Sequence, residues 1–177
     1  MAAGCSAVEK VTDVFADPLV LPCPGYRVIA EAASLIRFRD GPGRDLTDVN
    51  FEGKITDVQL GCASNIDKKT RVGSMNVEVS LILNATRGPA NKDRKAKFPY
   101  FIRILDKKEK ILWGEDFTVN VGFPGNKTRL QLRTEAVVLE LPITPKWFHS
   151  YYRIFVGFKP NRDDLKFNRA RRAKTRR

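Results

Sequence analysis

Residues 74–85, SMNVEVSLILNA, place an apolar side chain at every second position. Met75, Val77, Val79, Leu81 and Leu83 share one phase, and polar side chains separate the first four of them. A period of two is typical of a strand with one buried face and one exposed face. The stretch therefore predicts a β-strand that packs against a core.

A second strand is predicted upstream, over residues 50–62. It alternates through Phe51 and Ile55 and then changes phase to Val58. A β-bulge changes the phase of a strand in this way, because one extra residue is inserted into the ladder. We therefore expect a bulged strand here.

Further alternating segments follow, each bounded by turn residues. Residues 98–121 predict a hairpin whose strands flank the turn DKKEK, and Gly114 within it suggests another bulge. Residues 129–143 and 151–158 predict two later strands, whereas the Ala-rich middle of 26–38 could form either a strand or a helix.

The spacing of about seven short strands, without a long helix between them, predicts an all-β fold. An antiparallel β-sandwich of the immunoglobulin or fibronectin type is the first choice, and a small barrel is the alternative. Three regions are expected: an extended N-terminal tether over 1–22, the sandwich domain over 23–160 and a basic C-terminal tail over 161–177.

Positive charge is concentrated in the tail. The chain carries a net charge of +12, and residues 161–177 hold eight Lys or Arg against two Asp, which is +6. Such a tail attracts nucleic acid, an anionic lipid surface or an acidic protein, although it is also typical of a solvated terminus. The residues predicted to bind an anionic partner are Arg169, Arg171, Arg172, Lys174, Arg176 and Arg177.

The polar stretch RDGPGRDLTDVNFE, residues 39–52, is the densest group of potential oxygen ligands. Its four carboxylates suggest a calcium site, but the EF-hand spacing is absent and two arginines compete for the same carboxylates. An ordered loop held by turns and charge-assisted hydrogen bonds is therefore favoured.

No catalytic constellation emerges from the remaining residues. His149 is the single histidine and has no nucleophile placed beside it, while Glu115 and Asp116 are adjacent and would point to opposite faces of a strand. Aromatic residues at Trp113 and Trp147 are expected mainly in the core rather than stacked on bases. We predict a non-enzyme with no cofactor, no metal and no small-molecule substrate.

Three stretches of the sequence are similar to stretches of a known group of proteins. CPGYRVIAEAASLIRFRDGPGRDLTDVNFEGKITDVQLGC, TRGPANKDRKAKFPYF and YRIFVGFK resemble a group of alphaproteobacterial envelope lipoproteins of uncharacterised function. The resemblance covers residues 22 to about 168. It implies export by a signal peptide that ends in a lipobox, with AAGC as its remnant and Cys5 as the lipid attachment site.

With Cys5 acylated, Cys23 and Cys62 would be left to form a disulfide in the oxidising periplasm. This implies a lipoprotein anchored to the outer membrane, with the inner membrane as the alternative, that acts as a binding or assembly module, alone or within a larger membrane complex. The competing hypothesis is a cytosolic nucleic-acid-binding or ribosome-associated protein that uses the same basic tail.

Overall fold

The fold consists of two β-sheets and one C-terminal helix. The computed structural model describes residues 20–175, except for the side chains of Arg171, Arg172, Lys174 and Thr175. The strands are β1 (Gly25–Val28), β2 (Ser34–Phe38), β3 (Val49–Ile66), β4 (Gly73–Arg87), β5 (Lys95–Leu105), β6 (Ile111–Gly122), β7 (Arg129–Arg133), β8 (Val137–Ile143) and β9 (Arg153–Phe158). Short 3-10 turns lie at Ala30–Ala32, Leu46–Asp48 and His149–Tyr151, and helix α1 spans Arg162–Thr175.

The predicted sandwich is confirmed, with nine strands in the described chain instead of about seven. Sheet A has the order β1-β9-β5-β6, and sheet B has the order β2-β3-β4, with β7 and β8 both paired to β4. All pairs are antiparallel apart from β1 and β9, which run parallel. The first strand of the chain thus pairs with the last.

The core lies between the sheets and is built by the alternating residues predicted for it. Met75, Val77, Val79, Leu81 and Leu83 of β4 are at most 1% exposed. They face buried residues of sheet A, which the same period of two places on the inner face: Phe98, Tyr100, Ile102, Ile104, Ile154, Val156 and Phe158.

The expected bulge in β3 is present, since its pairing with β4 shifts between Ile55 and Asp57. The bulge in the β5–β6 hairpin lies elsewhere than predicted, because the register shifts next to Leu105 and not at Gly114. Gly114 is instead the point where the Arg103 side chain crosses the neighbouring strand, and a Cβ there would overlap that side chain.

Two segments that are each predicted as one element are each divided into two strands in the structure. Residues 26–38 cover β2 and all but the first residue of β1, and a 3-10 turn joins the two strands. The stretch 129–143 is interrupted after β7, where the Thr134 N–H donates to the Leu81 carbonyl and the Leu81 N–H donates to the Thr134 hydroxyl. This interruption divides the outer edge of sheet B into β7 and β8.

Candidate functional site

The basic tail does not begin as a free segment, because α1 is capped and docked on the sandwich. The Asn161 side chain accepts a hydrogen bond from the Asp164 N–H at 2.8 Å, and the Asp164 carboxylate accepts one from the Asn161 N–H at 2.7 Å. This reciprocal arrangement satisfies two N–H groups at the start of the helix. Two aspartates in the first turn also suit the helix dipole.

Polar contacts hold α1 against β2 and the turn before it. Asp164, which is 2% exposed, pairs with Arg37 of β2, and burial lowers the pKa of that guanidinium. The Asn168 amide donates to the carbonyls of Ser34 at 2.7 Å and Glu31 at 3.3 Å. The helix therefore belongs to the folded domain.

Arg169 is one of the residues predicted to bind an anionic partner, and it takes part in this docking. Its guanidinium lies 3.1 Å from the Glu31 carboxylate, and both side chains are largely exposed. Arg171, Arg172 and Lys174 lie on the described backbone of α1, without described side chains. Cys5, Arg176 and Arg177 lie outside the described residues.

The docking contacts also fix the direction of α1. The first turn of the helix lies at Arg37, and Asn168 and Arg169 reach Ser34 and Glu31, which come earlier in the chain. Ser34 pairs with Lys54 and Arg37 with Phe51. The helix therefore runs along β2 toward the end of the sandwich at which β3 terminates.

That end is also where the described chain begins, and we call it the proximal end. It comprises residues 20–24, the turns 67–72 and 106–110, and segment 144–152. Leu21 is buried in the core there, and its N–H donates to the Ser64 hydroxyl near the end of β3. The sandwich thus reaches back to Leu21 rather than starting at residue 23.

The expected disulfide joins Cys23 to Cys62 at the same end. Cys62 lies near the end of β3, and Cys23 lies two residues before β1. The bond therefore fastens the beginning of the described chain to the longest strand of sheet B.

Two turns at the proximal end share the pattern D-K-K-x-K/R. In 67–72 the Asp67 carboxylate accepts hydrogen bonds from the backbone of Thr70 and Lys69, and in 106–110 Asp106 accepts them from the backbone of Lys110 and Lys108. These bonds, led by those from Thr70 and Lys110, hold the pKa of each carboxyl below its ordinary value. Both carboxylates thus turn toward their own backbone, while the basic side chains stay exposed.

Exposed apolar side chains gather at the proximal end. Eight large ones are exposed among the described residues, of which Leu46 lies at the opposite, distal end and Val138 lies on β8. The other six belong to the proximal end or border it: Val20, Tyr26, Val72, Ile111, Leu112 and Trp147. Six of the eight thus concentrate at one end of the domain, which is typical of an interaction surface.

A cleft of about 400 Å³ opens beside this surface, between β6 and β8. Its two tyrosine hydroxyls already have partners, because the Tyr152 hydroxyl donates to the Pro142 carbonyl at 2.5 Å and the Tyr151 hydroxyl donates to Asp106 at 3.4 Å. Its walls are otherwise mainly apolar and include Trp113 and Trp147. Both tryptophans of the chain therefore lie at this cleft.

A second basic surface covers the outer face of sheet A. Alternation along its strands puts six cations on that face: Arg27, Lys95, Lys97, Arg103, Arg153 and Lys159. Asp116 lies among these cations. Hydrogen bonds to its carboxylate lower its pKa, and the bond from Lys159 has a larger effect than the bond from Arg103. Phe101 and Phe155 lie half-buried on the same face.

The polar loop after β2 has the structure of an ordered turn. Asp45 caps the 3-10 turn that follows, and the Asp48 carboxylate accepts a hydrogen bond from the Asp45 N–H in return. Asp48 also pairs with Arg39, as expected for competing arginines, and these contacts lower its pKa, that from Asp45 most. Within residues 20–175, no three His, Cys, Asp or Glu side chains come together as metal ligands.

His149 begins the 3-10 turn before β9, with its ring 4.8 Å from that of Phe148. Glu115 and Asp116 lie on opposite phases of β6, as expected from their adjacency, since Glu115 pairs with Ile102 and Asp116 with Phe101.

Within residues 20–175, no helix is long and apolar enough to cross a bilayer.

Sequence reasoning missed the proximal end and the docked helix. The repeated D-K-K motif after a strand was a signal for the first, since it places lysines on two turns. The signal for the second was Asn161, three residues before Asp164 and just ahead of a stretch without Gly or Pro.

Comparisons with known proteins leave the family of this chain open. No family model matches, and no curated protein matches. Among solved structures, the chain is similar to the variable (V) domain of the AgI/II polypeptide BspA from Streptococcus agalactiae, at 12% identity over 73% of each chain. The TM-score of that match is 0.18.

Proposed function

We propose that this protein is a non-catalytic envelope lipoprotein, anchored through an acylated Cys5 on the periplasmic side of the outer membrane. In this proposal the sandwich is a binding or assembly module, alone or as a subunit of a larger membrane complex. The basic C-terminus contacts an anionic partner, which is either lipid headgroups or an acidic protein surface.

The observation that carries the proposal is the disulfide between Cys23 and Cys62. Such bonds persist in the periplasm and outside the cell and are rare in a reducing cytosol. With these two thiols paired, Cys5 is the remaining cysteine of the chain and is available for a lipid.

The docked helix supports the role of the basic C-terminus. Asp163 and Asp164 are engaged by Arg44 and Arg37, so the acidic side chains of the tail face the sandwich. The cations at the end of α1 then have no carboxylate of their own segment to pair with. Binding through exposed charges weakens with salt, because such charges are screened within about 10 Å at ~0.1 M ionic strength.

Intact mass spectrometry of the protein from its native membranes, before and after reduction, tests the proposal. A chain that begins at Cys5, carries acyl groups and gains two hydrogens on reduction would support it. An unmodified chain with three free thiols would contradict both the lipid anchor and the periplasmic location.

The outer face of sheet A favours a second candidate, a cytosolic nucleic-acid-binding or ribosome-associated protein. Six cations around Phe101 and Phe155 combine the charge and the aromatic rings that bind single-stranded nucleic acid. Two variants separate the candidates: a deletion of residues 170–177, and the double substitution Lys95→Glu with Lys97→Glu. In this second candidate both abolish RNA binding, whereas in the first neither affects membrane attachment.

A further inference from the structure

We infer that the proximal end is a membrane-docking surface that inserts Ile111, Leu112 and Trp147 among the headgroups of an anionic bilayer. The inference deepens the proposed function and rests on it for the orientation of the protein. The occupant is the lipid surface itself, and four features of the described chain favour it.

The first feature is where the described chain begins. Leu21 and the Cys23–Cys62 disulfide fix the start of the sandwich at the proximal end. Fourteen residues lie between Cys5 and Val20, and a chain of that length spans at most about 50 Å when fully extended. A lipid on Cys5 therefore keeps the proximal end of the domain near the membrane.

The second feature is the pairing of apolar tips with cations. Ile111 is 60% exposed and Leu112 is 44% exposed, directly after the turn that carries Lys107, Lys108 and Lys110. Trp147 is 40% exposed and follows Lys146. Apolar and aromatic side chains ringed by lysines are the composition that binds at an anionic membrane interface.

The third feature is the direction of the charge. Across the proximal turns and segment 144–152, seven cations stand against three carboxylates, and two of those, Asp67 and Asp106, are bound to their own backbone. The cations are Lys68, Lys69, Arg71, Lys107, Lys108, Lys110 and Lys146. The outward charge of this end is therefore positive.

The fourth feature is the course of α1. The helix starts near Arg37 and passes Glu31 toward the proximal end, so its basic C-terminal turn points the same way as the lysine turns. The start of the described chain, the apolar tips, the lysines and the C-terminal turn of α1 then lie toward one end of the molecule. A single flat partner contacts them together, which a bilayer provides.

The test uses the full chain with Cys5→Ser and the disulfide intact, so that no lipid contributes to binding. Its partition coefficient is measured on vesicles of phosphatidylethanolamine and phosphatidylglycerol, with phosphatidylcholine vesicles as the uncharged control. We expect binding to the anionic vesicles, and a decrease of at least about tenfold for Ile111→Ser with Leu112→Ser, because apolar area is withdrawn from the lipid.

Leu46→Ser is the matched control, because Leu46 is 75% exposed at the distal end. It should leave the partition coefficient unchanged. The substituted side chains are exposed, so the variants should keep the unfolding temperature of the parent. The inference is overturned if the parent does not bind, or if the distal and proximal substitutions have equal effects.

Tryptophan fluorescence gives a second, local readout, since the chain has Trp113 and Trp147 alone. In the Trp113→Phe variant, we expect the Trp147 emission to shift to the blue on anionic vesicles and to be quenched by brominated acyl chains. An unchanged spectrum would overturn the inference. The inference would also be overturned if the parent protein were a dimer and the Leu112→Ser variant a monomer, because the apolar tips would then cover each other. Mass spectrometry of native Cys5 tests the anchor separately, so either idea can fail alone.

Discussion

Arg37 of β2 and Asp164 of α1 form an ion pair that ties the C-terminal helix to the sandwich, with the Asp164 side chain 3% exposed and that of Arg37 24% exposed. The carboxylate also caps the helix by accepting the Asn161 N–H. One residue thus starts the helix and docks it. The position of the basic C-terminus depends on this pair.

Removing one partner of this pair should destabilise the fold. We expect Asp164→Ala to lower the free energy of unfolding by about 2 kcal/mol, because it leaves a partly buried guanidinium without a counter-charge. Urea unfolding at neutral pH measures the change. Asp163→Ala is the control, since its exposed pair with Arg44 at 3.3 Å should contribute less than about 0.5 kcal/mol. Equal losses in the two variants would contradict a special role for Asp164.

Asp106 should make the fold sensitive to acid. Its pKa is held below the ordinary value of about 3.9 by backbone N–H groups, so the folded state binds fewer protons than the unfolded state in that range. The stabilisation is fully present above the ordinary pKa and is lost as the pH falls through the depressed one. Asp106→Asn should therefore reduce the difference in Tm between neutral and acidic buffer. Glu109→Gln in the same turn is the comparison, and the prediction is wrong if it has the larger effect.

The disulfide should contribute strongly to stability. Cys23 and Cys62 are separated by 39 positions, and closing a loop of that size removes roughly 4 kcal/mol of chain entropy from the unfolded state. The double variant Cys23→Ser with Cys62→Ser should lose about 2 to 4 kcal/mol in denaturant unfolding. Dithiothreitol should reproduce the loss in the parent and leave the variant unaffected. An effect of the reductant on the variant would point to another cause.

A side chain at position 114 should displace the Arg103 side chain. Arg103 lies across Gly114 and donates to the carbonyls of Ile102 at 3.0 Å and Glu115 at 2.6 Å, so a Cβ would displace this side chain. We expect Gly114→Val to cost about 1 kcal/mol, because the Arg103 side chain must move and loses hydrogen bonds. Gly122→Val in the same strand meets nothing within 4 Å and should be neutral or slightly stabilising, because valine favours strands. Thermal unfolding of both variants gives the comparison.

The parts of the fold that could be predicted are the strands in which apolar and polar residues alternate. In β4 every predicted inward residue is buried, and the phase change near Ile55 marks a real bulge. These features are local, because a hydrophobic period of two by itself indicates a strand with one buried face. The disulfide followed from a resemblance and from counting cysteines, not from the pattern of strands.

The remainder depends on contacts between distant residues. The break after β7 arises because Thr134 forms hydrogen bonds with Leu81, 53 positions away. Gly114 leaves room for the Arg103 side chain, which belongs to the neighbouring strand. The docking of α1 depends on Arg37, more than 120 positions before Asp164. Likewise, no local pattern says that the turns after Asp67 and Asp106 meet at one end, because that follows from strand order.

The disulfide also determines how the domain carries mechanical load. A pull on the N-terminal side of Cys23 reaches Cys62 through a covalent bond before it reaches β1. The force then acts on β3, which is hydrogen-bonded along its length to β4, and the short parallel pair of β1 and β9 is relieved of tension. Reducing the bond would place the same force on the four residues of β1, so the rate of forced unfolding should rise when the cysteines are reduced.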